Sequence, residues 1–211
     1  MTSKATTSPK IELKNLKVAE FASQETTCFE ATVYVDGKRF CTVRNEGSGG
    51  PDSHDALPPK GKKYFETGEE AGAARRELDE NVHNIALRHN PNVVRNYKDV
   101  PETEVKPWID DDAERHAEHD REMREDVQTS WSVFEYLTNE ALTRALYAKD
   151  LKRLLAKRVV MLEDGAVMQT KTLTKPRLAI ALDQFRTTEP NLVILNDKPF
   201  DEALDLFIAA G

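Results

Sequence analysis

Apolar and polar residues alternate without a break over Phe29–Val35, where Phe29, Ala31, Val33 and Val35 are separated by Glu30, Thr32 and Tyr34. A period of two sends successive side chains to opposite faces of an extended backbone, so this run predicts a strand with one buried face. Upstream, Ile11, Leu13 and Leu16 begin an apolar pattern that continues through Val18 and Phe21. Downstream, Asp36-Gly37 leads into Lys38-Arg39-Phe40-Cys41-Thr42-Val43. A two-residue Asp-Gly link predicts a hairpin, because its favoured turn needs backbone angles that glycine adopts without a Cβ clash.

The pattern then changes. Asn45-Glu46-Gly47-Ser48-Gly49-Gly50-Pro51-Asp52, followed by Pro58, Pro59 and Gly61, predicts a long loop over 44–66. A loop of that length in a compact domain covers something, binds something or moves. Thr67-Gly68-Glu69-Glu70 has the spacing of a helix capping box, and Ala71, Ala74, Leu78, Val82 and Ile85 give the helix that follows an apolar face. It should stop near His89-Asn90-Pro91, since proline disfavours a helical residue before it. Residues 92–108 read as an extended connector or edge strand.

Further on, Val127, Trp131, Phe134 and Leu137 form one helical stripe, and Leu142, Leu146, Leu151, Leu154 and Leu155 form another. A break near Thr138-Asn139 is expected between them. Val159–Leu162 and Ala166–Gln169 flank Glu163-Asp164-Gly165, a second hairpin pattern. Leu178–Leu182 reads as a short helix, Leu192–Leu195 as a strand, and the chain from Asp201 as a terminal helix. Strands, then helices, then strands favour an α+β fold: mainly antiparallel sheet, several packed helices and a charged helical excursion. Residues 1–10 read as a flexible tail without the apolar core of a secretory signal. Residues 11–211 read as a single domain that includes the 44–66 loop and a charged helical region over 110–158.

Composition narrows the function classes. The 211 residues are 39% hydrophobic and 32% charged, with a net charge of −7. That balance builds a core under a solvated surface and disfavours indiscriminate attraction to nucleic acid or anionic membrane. No apolar run approaches bilayer length, and a cytoplasmic location is expected. Cys28 and Cys41 are too few for a disulfide scaffold or a four-cysteine zinc site and read as reduced thiols, although they can face one another across neighbouring strands.

Two groups of residues are binding candidates. Gly47, Ser48, Gly49 and Gly50 can present backbone N–H groups as an anion nest. Lys60, Lys62, Lys63, Arg75 and Arg76 can add a basic patch beside it for a nucleotide or another anionic small molecule. The loop lacks the Walker A ending and the full dinucleotide fingerprint, so no cofactor is implied. The second group is a basic stripe of Lys149, Arg153 and Lys157, spaced by four and joined by Lys152 and Arg158. The Asp110–Asp126 segment, with nine acids and three arginines, can pair with that stripe within a chain or between copies. Trp131, Phe134 and Tyr136 are either partner anchors or core.

Other reactive side chains lack a constellation. His116-x-x-His119 with neighbouring carboxylates has ligand chemistry but no zincin signature, and no metal is expected. His54, His83 and His89 can move protons, and Ser48, Ser53 and Cys41 are nucleophile types, but the sequence gives none of them a base or an oriented substrate.

The β-hairpin and the Asn45–Gly50 loop resemble small accessory proteins of phages and mobile elements. That resemblance covers the first quarter of the chain and implies a protein that binds a host factor or defence component. Segregated charge supports the same first expectation: an intracellular protein-interaction or accessory protein, with a protein partner or self-association. The alternative is an enzyme or ligand-binding domain for a nucleotide or other anionic molecule. Nucleic acid ranks below both.

Overall fold

In the computed structural model, residues 8–93 and 129–211 are described. The fold is α+β with antiparallel sheets and packed helices, as the pattern predicts. Contacts group the chain into two compact units, Met1–Ala141 and Leu142–Gly211. No described helix is long and apolar enough to cross a membrane.

The first unit holds a four-stranded sheet in the order β1 (Ile11–Val18), β2 (Phe29–Val35), β3 (Lys38–Asn45) and β4 (Ser53–Ala56). Each neighbour pair is antiparallel. Phe29, Ala31, Val33 and Val35 are all buried, together with Cys41 and Val43 from β3. Asp36 and Gly37 both have positive φ, 49° and 79°, as a two-residue hairpin turn requires. Asp36 tolerates this conformation with its carboxylate well held. It accepts from Arg88 at 2.6 Å and from the Lys10 N–H at 3.0 Å. Arg88 first, then Lys10, holds the carboxyl below its ordinary range. Lys10 is therefore tied to the hairpin; residues 1–7 of the expected tail lie outside the described residues.

Two sequence expectations fail in instructive ways. The 44–66 loop is interrupted by β4, whose residues pair with β3 from Arg44↔Ser53 to Cys41↔Ala56. Ser53-His54-Asp55-Ala56 has a short alternation that the surrounding glycines and prolines mask. The break near Thr138 is also absent. Helix α2 runs unbroken over Ser130–Leu155, and the Thr138 hydroxyl donates to the Glu135 carbonyl at 2.9 Å within it. The 110–128 part of the charged region, His116 and His119 included, lies outside the described residues, as does the connector beyond Val93.

Helix α1 (Gly68–His89) starts and stops as predicted. The Thr67 hydroxyl accepts from the Glu70 N–H at 3.1 Å, while the Glu70 carboxylate reaches back to the Glu66 N–H at 3.0 Å. Its Leu78, Val82, Ile85 and Ala86 are buried. Phe40 is the extra residue of a bulge between the Val33↔Cys41 and Tyr34↔Arg39 pairs, and its ring lies 5.4 Å from that of the fully buried Phe134.

The second unit contains the C-terminal part of α2, the hairpin of β5 (Val160–Glu163) and β6 (Ala166–Gln169), then α3 (Lys175–Thr188), β7 (Val193–Ile194) and α4 (Phe200–Ala209). Its strand order is β6-β5-β7. Asp164 and Gly165 repeat the positive-φ turn at 49° and 79°. Val160 belongs to a core with Leu151, Leu195, Ala203 and Leu204. Val159 and Met161 belong to another, with Ile194 and with Leu178, Leu182 and Phe185 of α3. The central strand is thus buried on both faces.

Candidate docking face

The glycine-rich stretch is the turn between β3 and β4, and its polar groups are largely spent on the protein itself. Gly47 has φ +86°, a conformation that favours glycine, and a Cβ there would collide with the Ala22 carbonyl oxygen and Cys28. Its N–H donates to Asn45 Oδ1 at 2.8 Å. Its carbonyl accepts from the N–H groups of Gln24, Glu25 and Thr26 at 2.9, 3.0 and 3.4 Å. The Gly49 N–H donates to Thr26 Oγ1 at 3.3 Å. Asn45 completes the knot, donating from Nδ2 to the Gly50 carbonyl and to Asp52 Oδ1 and accepting from Thr26 Oγ1. The Glu25 carboxylate lies where a Gly49 Cβ would point. A negative side chain at that position opposes an incoming anion.

This knot braces the connection between β1 and β2. Ala19 and Glu20 carbonyls accept from the Ala22 and Ser23 N–H groups at 3.0 and 3.3 Å. Ser23 Oγ donates to the Ala19 carbonyl and accepts from the Cys28 N–H at 2.9 Å. The result is a 3₁₀ turn over Glu20–Ala22 whose central Phe21 is 95% exposed. The apolar pattern that counted Phe21 with the strand residues is corrected here: the chain leaves the sheet at Val18.

Beside this turn, the sheet face opposite the core carries polar residues in register. One cross-strand row is Lys17, Glu30, Arg44 and Ser53; the next is Lys14, Thr32, Thr42 and Asp55. A cavity of about 570 Å³ opens among Lys17, Glu30, Thr42, Arg44 and Asp55, with Ala19 and Cys28 also lining it. The ion pairs in it are long: Lys17 to Glu30 is 3.7 Å and Arg44 to Asp55 is 3.8 Å. By contrast, Arg88–Asp36 closes to 2.6 Å and Arg186–Asp197 to 2.5 Å. Long, exposed pairs contribute little to stability and leave their charges ready for exchange with a partner.

Most of the cations singled out in the sequence have contacts of their own. Lys62 pairs with Glu66, and Lys63 sits over the Tyr64 ring. Lys60 lies in the exposed segment between β4 and α1, and Arg76 is exposed on α1. Arg75 donates to the His54 carbonyl at 2.7 Å, pairs with Asp79 at 3.3 Å and stacks on Trp131. These contacts make Arg75 a brace between α1 and β4. Of the second group, Lys149, Lys152 and Arg153 lie on α2, but the helix ends at Leu155 and Lys157 and Arg158 follow it. The four-residue stripe therefore loses its helical spacing at Lys157. Arg153 pairs with Asp150, Lys152 sits over Phe200, and Arg158 donates to Gln169.

The reactive side chains also resolve. His54 is a buried β4 residue packed 5.3 Å from both the Trp131 and Phe134 rings, and burial pushes its pKa down. His83 Nδ1 shares a hydrogen bond with Ser130 Oγ at 2.7 Å. His89 stacks loosely on Tyr136, which is half exposed. Ser48 and Ser53 are exposed. Cys41 is fully buried, and burial raises its thiol to about 12; it pairs in register with Val33 and not with Cys28. Among the described residues, no group of three metal-ligating side chains could hold an ion.

Neither the Phe21 turn nor the charged rows stood out in the sequence. Phe21 lies in a polar neighbourhood between Glu20 and Ala22-Ser23, and that interruption of the period is the signal that marks it. The rows need the strand register, which is a property of pairing. No family model, curated protein or solved structure matches the chain.

Proposed function

We propose that the chain is a protein-interaction module that docks its partner on the Phe21 turn and the adjoining outward sheet face. The observation that carries this reading is Phe21, 95% exposed on a turn that the Gly47 carbonyl and Ser23 hydroxyl fasten in place. A large apolar ring held in water is unfavourable for the isolated protein. Fixing it before binding lowers the ordering cost on association, and aromatic anchors of this type carry much of the binding energy at interfaces. The neighbouring cavity with its loose ion pairs supplies the polar rim. An accessory role acting on a host factor or defence component in the cytoplasm is the finer form of the proposal, and it rests on the sequence resemblance of the hairpin and the Asn45–Gly50 loop alone.

The test is quantitative purification of tagged protein from its native cells, comparing wild type with Phe21→Ala and with the surface control Tyr64→Ala. The expected outcome is a stoichiometric protein partner that falls at least tenfold with Phe21→Ala and persists with the control. Equal recovery from all three, with the Phe21→Ala protein folded, contradicts the proposal.

A further inference from the structure

The order of charge across the outward face is itself informative. Beyond a row of Glu12, Tyr34 and Arg39, the strands from β1 to β4 present cations (Lys14, Lys17), a carboxylate (Glu30), a cation (Arg44) and a carboxylate (Asp55). All five side chains project from the face opposite the core, and Lys17, Glu30, Arg44 and Asp55 keep 59–76% of their side-chain surface exposed.

A second sheet can be laid on this one about a two-fold axis parallel to the strands and midway between β2 and β3. That operation puts β1 over the partner's β4 and β2 over its β3, and keeps each row at its own level. Glu30 then meets Arg44 of the other copy, and Arg44 meets its Glu30. One row further along, Lys14, which lies 4.2 Å over its own Tyr34 ring, meets Asp55, while Thr32 is already buried beneath its own neighbours. Every charged contact in these two rows is between opposite signs, so the face is complementary to itself.

We infer that the partner on this face is a second copy of the chain, stacked sheet to sheet about that axis. The inference rests on the reading that this face docks a protein, and it names the occupant. Sheets pack about 10 Å apart with strands within roughly 30° of alignment, which allows opposed Glu and Arg side chains to meet. The residual angle moves the outer strands out of register faster than the inner ones. Glu30–Arg44 is therefore the controlling pair, and Lys14–Asp55 is secondary. Four strands of eight, seven, eight and four residues, about 4.8 Å apart and about 3.3 Å per residue, give a footprint of roughly 430 Å² per copy. Roughly 860 Å² in total lies below the usual size of stable interfaces, in the range of weak, transient association. The dimer is weak, wet around the two facing cavities, and sensitive to salt because its pairs are exposed at the rim.

Sedimentation velocity across a protein concentration series at low salt tests this with two charge reversals, Glu30→Lys and Arg44→Glu. Wild type should shift from monomer towards dimer as concentration rises, and the shift should shrink in high salt. Each variant alone opposes like charges twice and should stay monomeric over the same range. In an equimolar mixture, the introduced lysine of one variant faces the introduced glutamate of the other. The unchanged Arg44 of the first then faces the unchanged Glu30 of the second, and the dimer should return. Any disturbance inside a single copy is the same alone and in the mixture, so recovery reports contact between copies. A wild type that is monomeric throughout, variants that dimerise as wild type does, or a mixture that stays monomeric each overturns the inference. None of these outcomes alters the Phe21 purification test, which separates loss of the dimer from loss of the docking reading.

Discussion

The chain builds two hairpins on the same Asp-Gly turn, with the same φ angles, and puts them to different use. Around Asp36-Gly37 the strands alternate, so one face is core and the other carries Lys14, Lys17, Glu30, Arg44 and Asp55 in registered rows. Around Asp164-Gly165 the strand before the turn is a continuous apolar run, Val159-Val160-Met161-Leu162, whose residues enter two separate cores. Turn chemistry sets the reversal in both; the period of the flanking strand decides whether a face is left for a partner. The N-terminal sheet has such a face, and the central strand of the C-terminal unit is covered on both sides.

The largest expected effects separate the two strand types. Met161→Ala and Leu151→Ala empty the cores on opposite faces of β5 and should each cost about 2–5 kcal/mol in denaturant unfolding. Phe134→Ala, on the core side of the N-terminal sheet, should cost about 3–5 kcal/mol. Arg44→Ala, on its other side, should stay within about 0.5 kcal/mol of wild type. A loss at Arg44 as large as that at Phe134 would mean that the outward face is part of a core.

A smaller but more local effect is expected at the knot. Gly47→Ala forces a Cβ into the Ala22 carbonyl and a positive φ on alanine, and should destabilise by roughly 1 kcal/mol or more. Its signature is faster amide exchange at Gln24, Glu25, Thr26 and Cys28, whose N–H groups are bonded to Gly47 or Ser23. Unchanged exchange there would remove the rigid-anchor argument for Phe21.

The mildest effect is a pH dependence. Burial beside Trp131 and Phe134 lowers the His54 pKa from its ordinary 6.5. The unfolded chain therefore binds a proton first as pH falls through about 6.5, and stability should decline below that value while staying flat above it. Urea unfolding at pH 7.5 and pH 5.5 should show the decline, and His54→Gln should reduce it. A His54→Gln protein with the same pH slope as wild type would assign the decline to other groups.

These contrasts also explain what the sequence made legible. Alternation located the buried face of β2, the Asp-Gly pairs located both hairpins, and Thr67 with Asn90-Pro91 bounded α1, because each of those signals is local. β4 was hidden because four residues embedded among glycines and prolines become a strand only through pairing with β3. Thr138 suggested a helix break, yet its hydroxyl is satisfied within the helix. The basic loop site rested on composition, whereas the placement of Arg75 under β4 and of Glu25 at the glycine turn depends on tertiary structure. The candidate face was the least legible of all, since adjacency of Lys17, Glu30 and Arg44 exists only in the register of three strands.

Lysine-reactive footprinting compares the two regions most directly. Protein at high concentration in its native extract is labelled briefly and compared with dilute purified protein. The account predicts that Lys14 and Lys17 lose reactivity at high concentration while Lys149 and Lys157 keep theirs. Protection of Lys149 and Lys157 with Lys14 and Lys17 unchanged would contradict it and move the docking surface to the C-terminal part of α2.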